Sequence, residues 1–371
     1  MTVDSKLTRT EAPQSVAILG AGIIGLCCAW ELADRGAKVS LLDPRSPGHG
    51  ASWAAAGMLA PAFEAAHESG AHPQLAELCQ AGAAVWGEFA ERLQASASQS
   101  IGYASGPSLA VARSDVQGRH LIALSDVLAK MRVPFEDLGV DRGLAFEPAL
   151  SPELTHVLRL PTDGHVDNRR VIKALLTVCE RHANINTQFQ RRPSSLEQLL
   201  SEHDQVLITA GWESKSLIGL DVPLEPVSGQ LLSVGAKPGM PTRTIRAGHI
   251  YIAPKADRIV IGATVEPGKA RDAVDAETVQ ALLSDAAKLS PALKDARVLE
   301  TWFGVRPGLP DFAPVIDQTD NPYVFVSSGH HRNGILLAPI TAQLVAEMML
   351  TGDVPSLARP FRLARFKGAV V

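Results

Sequence analysis

A glycine-rich turn near the start of the chain constrains the fold more than any other feature. A short apolar strand at residues 16–19 leads into Gly20, Gly22 and Gly25, spaced as Gly-x-Gly-x-x-Gly, and an apolar-periodic helix follows. Asp43 stands 18 residues after Gly25, at the end of a second apolar strand. This order is the fingerprint of a dinucleotide-binding β-α-β unit. It predicts an α/β fold; the alternative is a helix-packing glycine turn in an unrelated α/β protein.

Each residue of the fingerprint has a physical role in holding a dinucleotide. Gly20 permits the tight turn, Gly22 lets the backbone approach a pyrophosphate, and Gly25 lets the helix pack close to the strand. The start of the helix presents N–H groups and partial positive charge to the phosphates. Asp43 is placed to accept hydrogen bonds from a ribose diol.

Composition limits the class of protein. The chain has 371 residues, 46% of them hydrophobic, and a net charge of −4, which suggests about two soluble domains and argues against a nucleic-acid surface. The four cysteines show no metal-binding spacing, so we expect no metal site and no disulfide framework. No signal peptide and no uninterrupted apolar span stand out, so we expect a cytoplasmic protein that does not associate with membranes.

The order of motifs predicts two interleaved domains. A Rossmann-like domain is expected to alternate with a cap domain built on a mixed antiparallel sheet, and residues 1–13 are expected to form a flexible tail. The Rossmann-like segments are 14–90, 160–220 and 305–371, and the cap segments are 91–159 and 221–304.

Several elements can be predicted within these segments. Helices are expected at about 74–94, 117–131, 273–286 and 335–350, and a hairpin at 250–254 and 258–263. Gly36 is expected to end the first helix, and Pro339 is acceptable only in the first turn of the last one. The small-residue segment 50–61 favours a loop that a flat ligand can approach.

Later motifs, in the same order along the chain, resemble those of a known family. They are Ala-Ala-Ala-Gly-Met-Leu at 54–59, Thr-Ala-Gly-Trp at 209–212, Val-Arg-Pro-Gly at 305–308, and Gly-His-His-Arg-Asn-Gly-Ile-Leu-Leu-Ala-Pro at 329–339. Together with the first glycine turn they resemble the D-amino-acid oxidase superfamily of FAD enzymes. Within it the chain is most similar to the glycine oxidases tied to thiamine biosynthesis, from about residue 14 onward.

The resemblance implies non-covalently bound FAD and a set of residues that hold it. The adenosine and pyrophosphate half is expected at the glycine turn, and the flavin at the segment after residue 50 and at the loop that begins at His330. The implied cofactor residues are Gly20, Gly22, Ile23, Ile24, Gly25, Asp43, Pro44, Ala51, Ser52, Ala56, Gly57, Met58, Gly211, His330, His331, Arg332, Asn333, Gly334, Ile335 and Leu336.

The resemblance also implies a carboxylate anchor for an amino-acid substrate. Arg306 fits an arginine that binds the carboxylate with two N–H groups, Tyr251 fits a tyrosine that donates to it, and Arg332 fits a second arginine nearby. The alternatives are an interdomain ion pair for Arg306, an ordinary strand aromatic for Tyr251 and a buttress of the flavin loop for Arg332. His249 is interpreted as a loop histidine.

Three positions depart from the family pattern and bear on substrate identity. His331 stands where an aromatic is usual, Val265 where a methionine is common, and Trp53 where serine or threonine is frequent. The smaller Val265 side chain would leave room for a substrate larger than glycine.

The implied reaction is oxidative deamination of glycine, sarcosine or a small D-amino acid. The α-hydrogen leaves as hydride to flavin N5 without a side-chain base, O₂ is reduced to hydrogen peroxide, and the imino acid hydrolyses to an oxoacid and ammonia. The family's habit suggests a homo-oligomer, possibly a tetramer. Four alternatives stay open: a dehydrogenase that reduces a quinone, a sarcosine-oxidase-like enzyme with covalent flavin, a non-catalytic or tRNA-modifying flavoprotein, and an NAD-dependent dehydrogenase.

Overall fold

The computed structural model describes residues 14–63, 72–192 and 195–367. Over these residues the strands are β1 (Ser15–Leu19), β2 (Lys38–Asp43), β3 (Met58–Leu59), β4 (Ala104–Ser105), β5 (Ser108–Ala112), β6 (Glu136–Asp137), β7 (His156–Leu160), β8 (Gly164–His165), β9 (Ile185–Phe189), β10 (Gln205–Ile208), β11 (Glu225–Gly235), β12 (Ile245–Ala247), β13 (Ile250–Pro254), β14 (Arg258–Gly262), β15 (Glu266–Pro267), β16 (Val298–Gly308), β17 (Val315–Gln318) and β18 (Val324–Ser328). The helices are α1 (Ile23–Asp34), α2 (Ala51–Ala54), α3 (Leu75–Ala97), α4 (Asp115–Lys130), α5 (Gly139–Phe146), α6 (Asn168–Arg181), α7 (Leu196–Glu202), α8 (Ser214–Ile218), α9 (Ala276–Leu289) and α10 (Gly334–Thr351). The predicted tail, residues 1–13, lies outside the described residues.

The predicted β-α-β unit opens the fold. β1 and β2 pair in parallel, and α1 connects them. Gly36, with φ +96°, ends the helix as predicted: its N–H donates to the Ala33 carbonyl, and the N–H of Ala37 donates to that of Leu32, both at 3.0 Å. These two bonds form a Schellman motif, which satisfies carbonyls that the helix end would otherwise leave open.

The first sheet has six strands in the order β17-β18-β10-β1-β2-β9. All its neighbours are parallel except β17 and β18, which are antiparallel. Helices α1, α3, α6 and α10 contact one another beside this sheet and share its largest apolar core.

The second sheet has nine strands in the order β15-β11-β14-β13-β12-β5-β7-β6, with β16 paired to β11. Its pairs are antiparallel except β5 with β12. Helix α9 packs on it through a separate apolar cluster. A short three-stranded sheet, β3-β8-β4, completes the strands of the described residues. The predicted combination of a parallel sheet with a mixed antiparallel one is confirmed.

Helix α10 corrects the prediction for Pro339. We expected Pro339 in the first turn, but the helix begins at Gly334 and Pro339 lies inside it. Pro339 has no N–H to donate to the carbonyl four residues earlier. Trp86 from α3 donates its indole N–H to the neighbouring carbonyl of Leu336 at 2.8 Å. α10 is long and apolar enough to cross a membrane, but most of it is buried inside the protein, as in a core helix.

Candidate active site

A cavity of about 340 Å³ lies at the carboxyl ends of β1, β2, β10 and β18. The connection from β1 runs to β2 on one side, whereas β10 and β18 lie on its other side, so the strand order reverses direction at β1. Open α/β sheets bind ligands at such a switch point. We call this space the dinucleotide cavity. Of the predicted cofactor residues it is lined by Gly20, Gly22, Ile23, Ile24, Asp43, Ala51, Ser52, Gly211, His330, His331, Arg332, Gly334 and Ile335.

The glycines shape the wall of this cavity in different ways. Gly20 has φ +110°, and a Cβ there would lie 2.5 Å from the carbonyl oxygen of Thr209. A Cβ at Gly25 would overlap the carbonyl of Gly20, so Gly25 allows α1 to pack against the turn. Gly22 lines the cavity, and the nearest atom to a Cβ there is the Ser52 hydroxyl at 3.3 Å. Any larger side chain at Gly22 would project into space that a pyrophosphate could occupy.

Two side chains from outside the turn hold it in place. Asp43 is buried; its Oδ2 accepts the N–H of Ala21 at 2.8 Å and its Oδ1 accepts that of Arg45 at 2.9 Å. The Ser52 hydroxyl accepts the N–H of Ile23, in the first turn of α1, at 3.0 Å. The turn, the helix start and the acid at the end of β2 therefore form a cradle that fits the diphosphate and ribose of a dinucleotide such as FAD.

A second cavity of about 290 Å³ adjoins the first. Its size is close to the lower end of the range, about 300–1,000 Å³, of small-molecule sites. We call it the substrate cavity. It contains the predicted residues Arg306, Tyr251, Arg332, Ala51, Ala56, Gly57, Met58, His331, Asn333, Ile335 and Leu336. Residues Ala51, Ala55, Gly304, His331, Arg332 and Ile335 line both cavities.

The floor of the substrate cavity is one face of the nine-stranded sheet. Tyr251 on β13 stands opposite Gly262 on β14, and a Cβ at Gly262 would lie 2.5 Å from the tyrosine hydroxyl. The aromatic side chain therefore lies across Gly262. In the same way a Cβ at Gly229 on β11 would overlap the guanidinium of Arg306. The two glycines give the phenol and the guanidinium room to lie along the sheet.

Arg306 is held by backbone carbonyls. Its Nη1 donates to the carbonyls of Ser228 and Thr264, each at 3.4 Å. Burial raises the pKa of Tyr251 to about 12, and the nearby charges of Arg306, Arg246 and Arg332 only partly oppose this shift. The phenol therefore keeps its proton at neutral pH and can donate to a carboxylate.

Strand β16 separates the two cavities because its side chains alternate. Phe303, Val305 and Pro307 line the dinucleotide cavity, whereas Arg306 lines the substrate cavity. Gly304 borders both, and a Cβ there would lie 2.5 Å from the Cβ of Ala54 in α2. β16 and α2 therefore meet closely where the cavities join.

The loop between β18 and α10 contributes residues from the other side. His331 has φ +48°, and its N–H donates to the Pro307 carbonyl of β16 at 3.0 Å. His330 is buried beside the hydroxyl of Thr341, 3.2 Å from its Nε2, and burial lowers the pKa of the imidazole to about 3. His330 is therefore neutral near pH 7.

Trp53 belongs to a cluster that fixes the segment beneath both cavities. The Arg169 guanidinium lies 3.6 Å from the centroid of the Trp53 ring and 4.7 Å from that of Trp302, and it is paired with Glu300 at 2.8 Å. Asn168 donates to the carbonyls of Ser52 and Trp53 at 2.8 and 2.9 Å. The segment expected to be a loop begins with the one-turn helix α2, which this cluster holds in place.

The remaining predicted residues lie elsewhere or have other contacts. Gly25 and Pro44 line neither cavity. Val265 is 47% exposed and borders the substrate cavity, as does the exposed His249. The four cysteines are buried, and none lines either cavity. Within the described parts of the chain, no group of three or more His, Cys, Asp or Glu residues could hold a metal ion.

Two features of the sites were missed by sequence reasoning. Arg246, on β12, lines the substrate cavity. Thr209, just after β10, donates its hydroxyl to the Gly20 carbonyl at 2.8 Å. Thr209 belongs to the motif at 209–212 quoted above, but that motif gives no sign of its contact with Gly20. The sequence carries no comparable signal for Arg246.

A third cavity, of about 450 Å³, lies behind the short three-stranded sheet. It is lined by Lys255, whose Nζ donates to the Val166 carbonyl at 2.6 Å, and by His165. Burial lowers the pKa of Lys255 to about 7, although the carboxylate of Asp167 partly opposes this, and burial lowers that of His165 to about 4.

Comparisons with known proteins agree with this geometry. The sequence family described as FAD dependent oxidoreductase, or DAO, matches residues 15–348. Glycine oxidase from Geobacillus kaustophilus (strain HTA426) is 30% identical over 372 residues, which cover 96% of this chain and 98% of that protein. The crystal structure of glycine oxidase from Geobacillus kaustophilus superposes with a TM-score of 0.85 at 29% identity and covers 96% of this chain and 98% of that one.

A fusion protein is among the similar sequences. The bifunctional protein ThiO/ThiG of Synechocystis sp. (strain ATCC 27184 / PCC 6803 / Kazusa) is 30% identical over 378 residues, which cover 96% of this chain. They cover 54% of that protein, so this chain spans about half of its length.

Proposed function

Because this chain belongs to the DAO family of FAD-dependent oxidoreductases, we propose that it oxidises the amine of a small amino acid. The family confirms the prediction of FAD and removes the alternative of a nicotinamide cofactor. The proposed substrates are glycine, sarcosine and small D-amino acids. The proposed products are the corresponding oxoacid, ammonia and hydrogen peroxide.

One observation carries the proposal: the substrate cavity holds Arg306 and Tyr251 together and joins the dinucleotide cavity. An arginine binds a carboxylate through two parallel N–H groups, and a protonated tyrosine adds a third donor. A substrate held in this way has its carboxylate fixed at the sheet, so its α-carbon can be oriented towards the neighbouring cavity. Orientation of this kind lowers the barrier without a catalytic base.

The residues of the chain then act by binding, orienting and excluding water. FAD, when bound, supplies the two-electron acceptor for the substrate and the donor to O₂. In the proposed reaction the α-carbon–hydrogen bond breaks, the hydrogen leaves as hydride, and the amine lone pair forms the C=N bond with loss of a proton. Arg332, at the border of both cavities, adds positive charge beside the site. Water then hydrolyses the imine.

We also propose how the chain uses its two sheets and its cofactor. The six-stranded sheet would carry the dinucleotide, and the nine-stranded sheet the substrate; the domain boundary predicted at residue 305 would then fall within β16. The buried cysteines outside both cavities support non-covalent attachment of FAD. The similarity to glycine oxidase and to the ThiO/ThiG fusion supports a role in supplying the thiazole of thiamine. We propose a cytoplasmic homo-oligomer.

The test is spectroscopic. The purified protein should show the visible bands of oxidised flavin, and acid should release the yellow cofactor. Anaerobic addition of glycine, sarcosine or a small D-amino acid should bleach the band, and air should restore it with one equivalent of peroxide. Bleaching that only a quinone reverses would make the enzyme a dehydrogenase. No bleaching with any amino acid would contradict the proposal.

A further inference from the structure

Arg246 gives the substrate cavity a second guanidinium on the floor of the sheet. It is 5% exposed, it lines the cavity, and its guanidinium lies 4.4 Å from the centroid of the Phe63 ring. The stacked ring fixes the plane of the guanidinium, as aromatic partners of arginine do.

Strand order places Arg246 and Arg306 at opposite ends of the floor. Arg246 stands opposite Tyr251, so both side chains are on the same face, and the face continues through Gly262, Leu231 and Gly229 to β16. β12 and β16 are four strands apart in the order β12-β13-β14-β11-β16. At about 4.8 Å per strand, their backbones are roughly 19 Å apart. The two long side chains therefore approach the cavity from opposite sides, with Tyr251 between them.

The two charges act on the same space. The positive charges of Arg246 and Arg306 both lower the pKa of the Tyr251 phenol, so both fields reach its hydroxyl. Three of the described residues that line the cavity are arginines, Arg246, Arg306 and Arg332. A single carboxylate bound between Arg306 and Tyr251 leaves the Arg246 end of the cavity to another part of the ligand.

We propose that the preferred substrate carries a second carboxylate, bound by Arg246, while its amino-acid carboxylate is bound by Arg306 and Tyr251. The substrate class is therefore an acidic amino acid, with the second carboxylate on its side chain or on its amine. This inference rests on the proposed function and sharpens its substrate. The reaction at the α-carbon is unchanged, and Arg246 acts only in recognition.

The test compares substrates and variants in the FAD-loaded enzyme. The substrates are glycine, iminodiacetate, D-aspartate and D-glutamate, and the variants are Arg246→Gln, Arg246→Lys and a control, Arg159→Gln. Arg159 also lies over an aromatic ring, that of Phe146 at 5.2 Å, and pairs with Glu136, but it is not among the residues that line the substrate cavity. The control therefore removes a stacked arginine without touching the proposed site.

The wild-type enzyme should have a higher kcat/KM for at least one dicarboxylate than for glycine. Arg246→Gln should lower the ratio of kcat/KM for the dicarboxylate to kcat/KM for glycine at least 10-fold, as expected for the loss of a charge-assisted hydrogen bond. Arg246→Lys should restore part of it, and Arg159→Gln should leave it within 2-fold. Equal losses on glycine and on dicarboxylates would assign Arg246 a structural role and overturn the proposal, as would activity on glycine with none on any dicarboxylate.

A binding measurement separates this inference from the proposed function. Succinate and glutarate, which lack an amine, should perturb the visible flavin spectrum at lower concentration than acetate. Arg246→Gln should weaken the dicarboxylates at least 10-fold more than acetate. If no amino acid bleaches the flavin, the proposed function fails while this titration still decides the role of Arg246. If Arg246→Gln weakened the binding of succinate, glutarate and acetate equally, the proposed role of Arg246 would be contradicted.

Discussion

Replacing Gly229 by alanine tests the position of Arg306 without changing its charge. A Cβ at residue 229 would overlap Nη1 of Arg306, and it would lie 2.5 Å from the Thr264 carbonyl oxygen and 2.7 Å from Nη2. The contact with the Thr264 carbonyl can be relieved only by a shift of the backbone, whereas the contacts with Nη1 and Nη2 are relieved when the flexible guanidinium moves away. It would leave the floor of the sheet where a substrate carboxylate is expected.

The magnitude follows from how far the guanidinium must shift. Overpacking by one methyl group costs about 1–3 kcal/mol of folding free energy. A catalytic geometry misplaced by about 1 Å costs about 100-fold in rate. Contacts of 2.5–2.7 Å must lengthen by about 1 Å to reach normal packing distance, about 3.5 Å. We therefore expect kcat/KM on glycine to fall roughly 30- to 100-fold, with a rise in KM and a fall in kcat.

The assay is peroxide release by the FAD-loaded variant, with a control on the same strand. In Gly235→Ala the new Cβ would lie 4.0 Å from its nearest non-adjacent neighbour, a methyl carbon of Leu299, so this variant should keep kcat/KM within about 2-fold, as surface substitutions usually do. Both variants should bind FAD and unfold cooperatively. If Gly229→Ala kept the wild-type kcat/KM, Arg306 would not be the carboxylate anchor that its position suggests.

Three further predictions follow from other contacts. Arg306→Ala removes the guanidinium that pairs with the substrate carboxylate, so kcat/KM on glycine should fall by an amount that corresponds to roughly 2–4 kcal/mol of lost transition-state binding. Steady-state kinetics, with Arg159→Gln as control, measures this loss, and an unchanged kcat/KM refutes the prediction. Gly22→Val should leave the apoprotein folded by circular dichroism but weaken FAD binding by at least about 10-fold in a fluorescence titration, because its side chain enters the dinucleotide cavity. Lys255 has a pKa of about 7 when folded and an ordinary value of 10.5, so the unfolded state binds more protons between these values and the free energy of unfolding should rise with pH across that window. In Lys255→Met this rise, measured by urea denaturation, should be smaller than in the wild type; the same rise in both would refute the assignment.

Sequence patterns predicted the parts of the fold that are local. The glycine turn, the end of α1 at Gly36 and the hairpin of β13 and β14 each depend on a few adjacent residues, and all three form as expected. The bounds of the long helices differ from the predictions by up to three residues at either end. Fraying and capping at helix ends depend on neighbours that local periodicity does not contain.

Long-range contacts account for what the sequence did not predict. Arg246 lies on a strand of three residues, too short to show an alternating pattern, and its direction is set by pairing with Tyr251 across a turn and with Ala110 of β5. Pro339 is accommodated inside α10, where the Trp86 side chain, about 250 residues earlier, donates to a nearby carbonyl. The sequence could name Arg306 and Tyr251 only through a family resemblance, because no local spacing connects them.

The alternation along β16 has a consequence for how such a protein can change over evolutionary time. Substitutions at Phe303, Val305 or Pro307 change the lining of the dinucleotide chamber, whereas a substitution at Arg306 changes the lining of the substrate chamber. The two binding specificities can therefore change independently of each other along one strand. Inserting or deleting one residue in this stretch would move every following side chain to the opposite face of the strand. The residues that line the two chambers would then be exchanged in one step. The strand already carries one extra residue, Leu299, where Ser233 and Val234 of β11 pair with Glu300 and Val298; this irregularity lies towards the far end of β16, where a length change would leave both chambers intact.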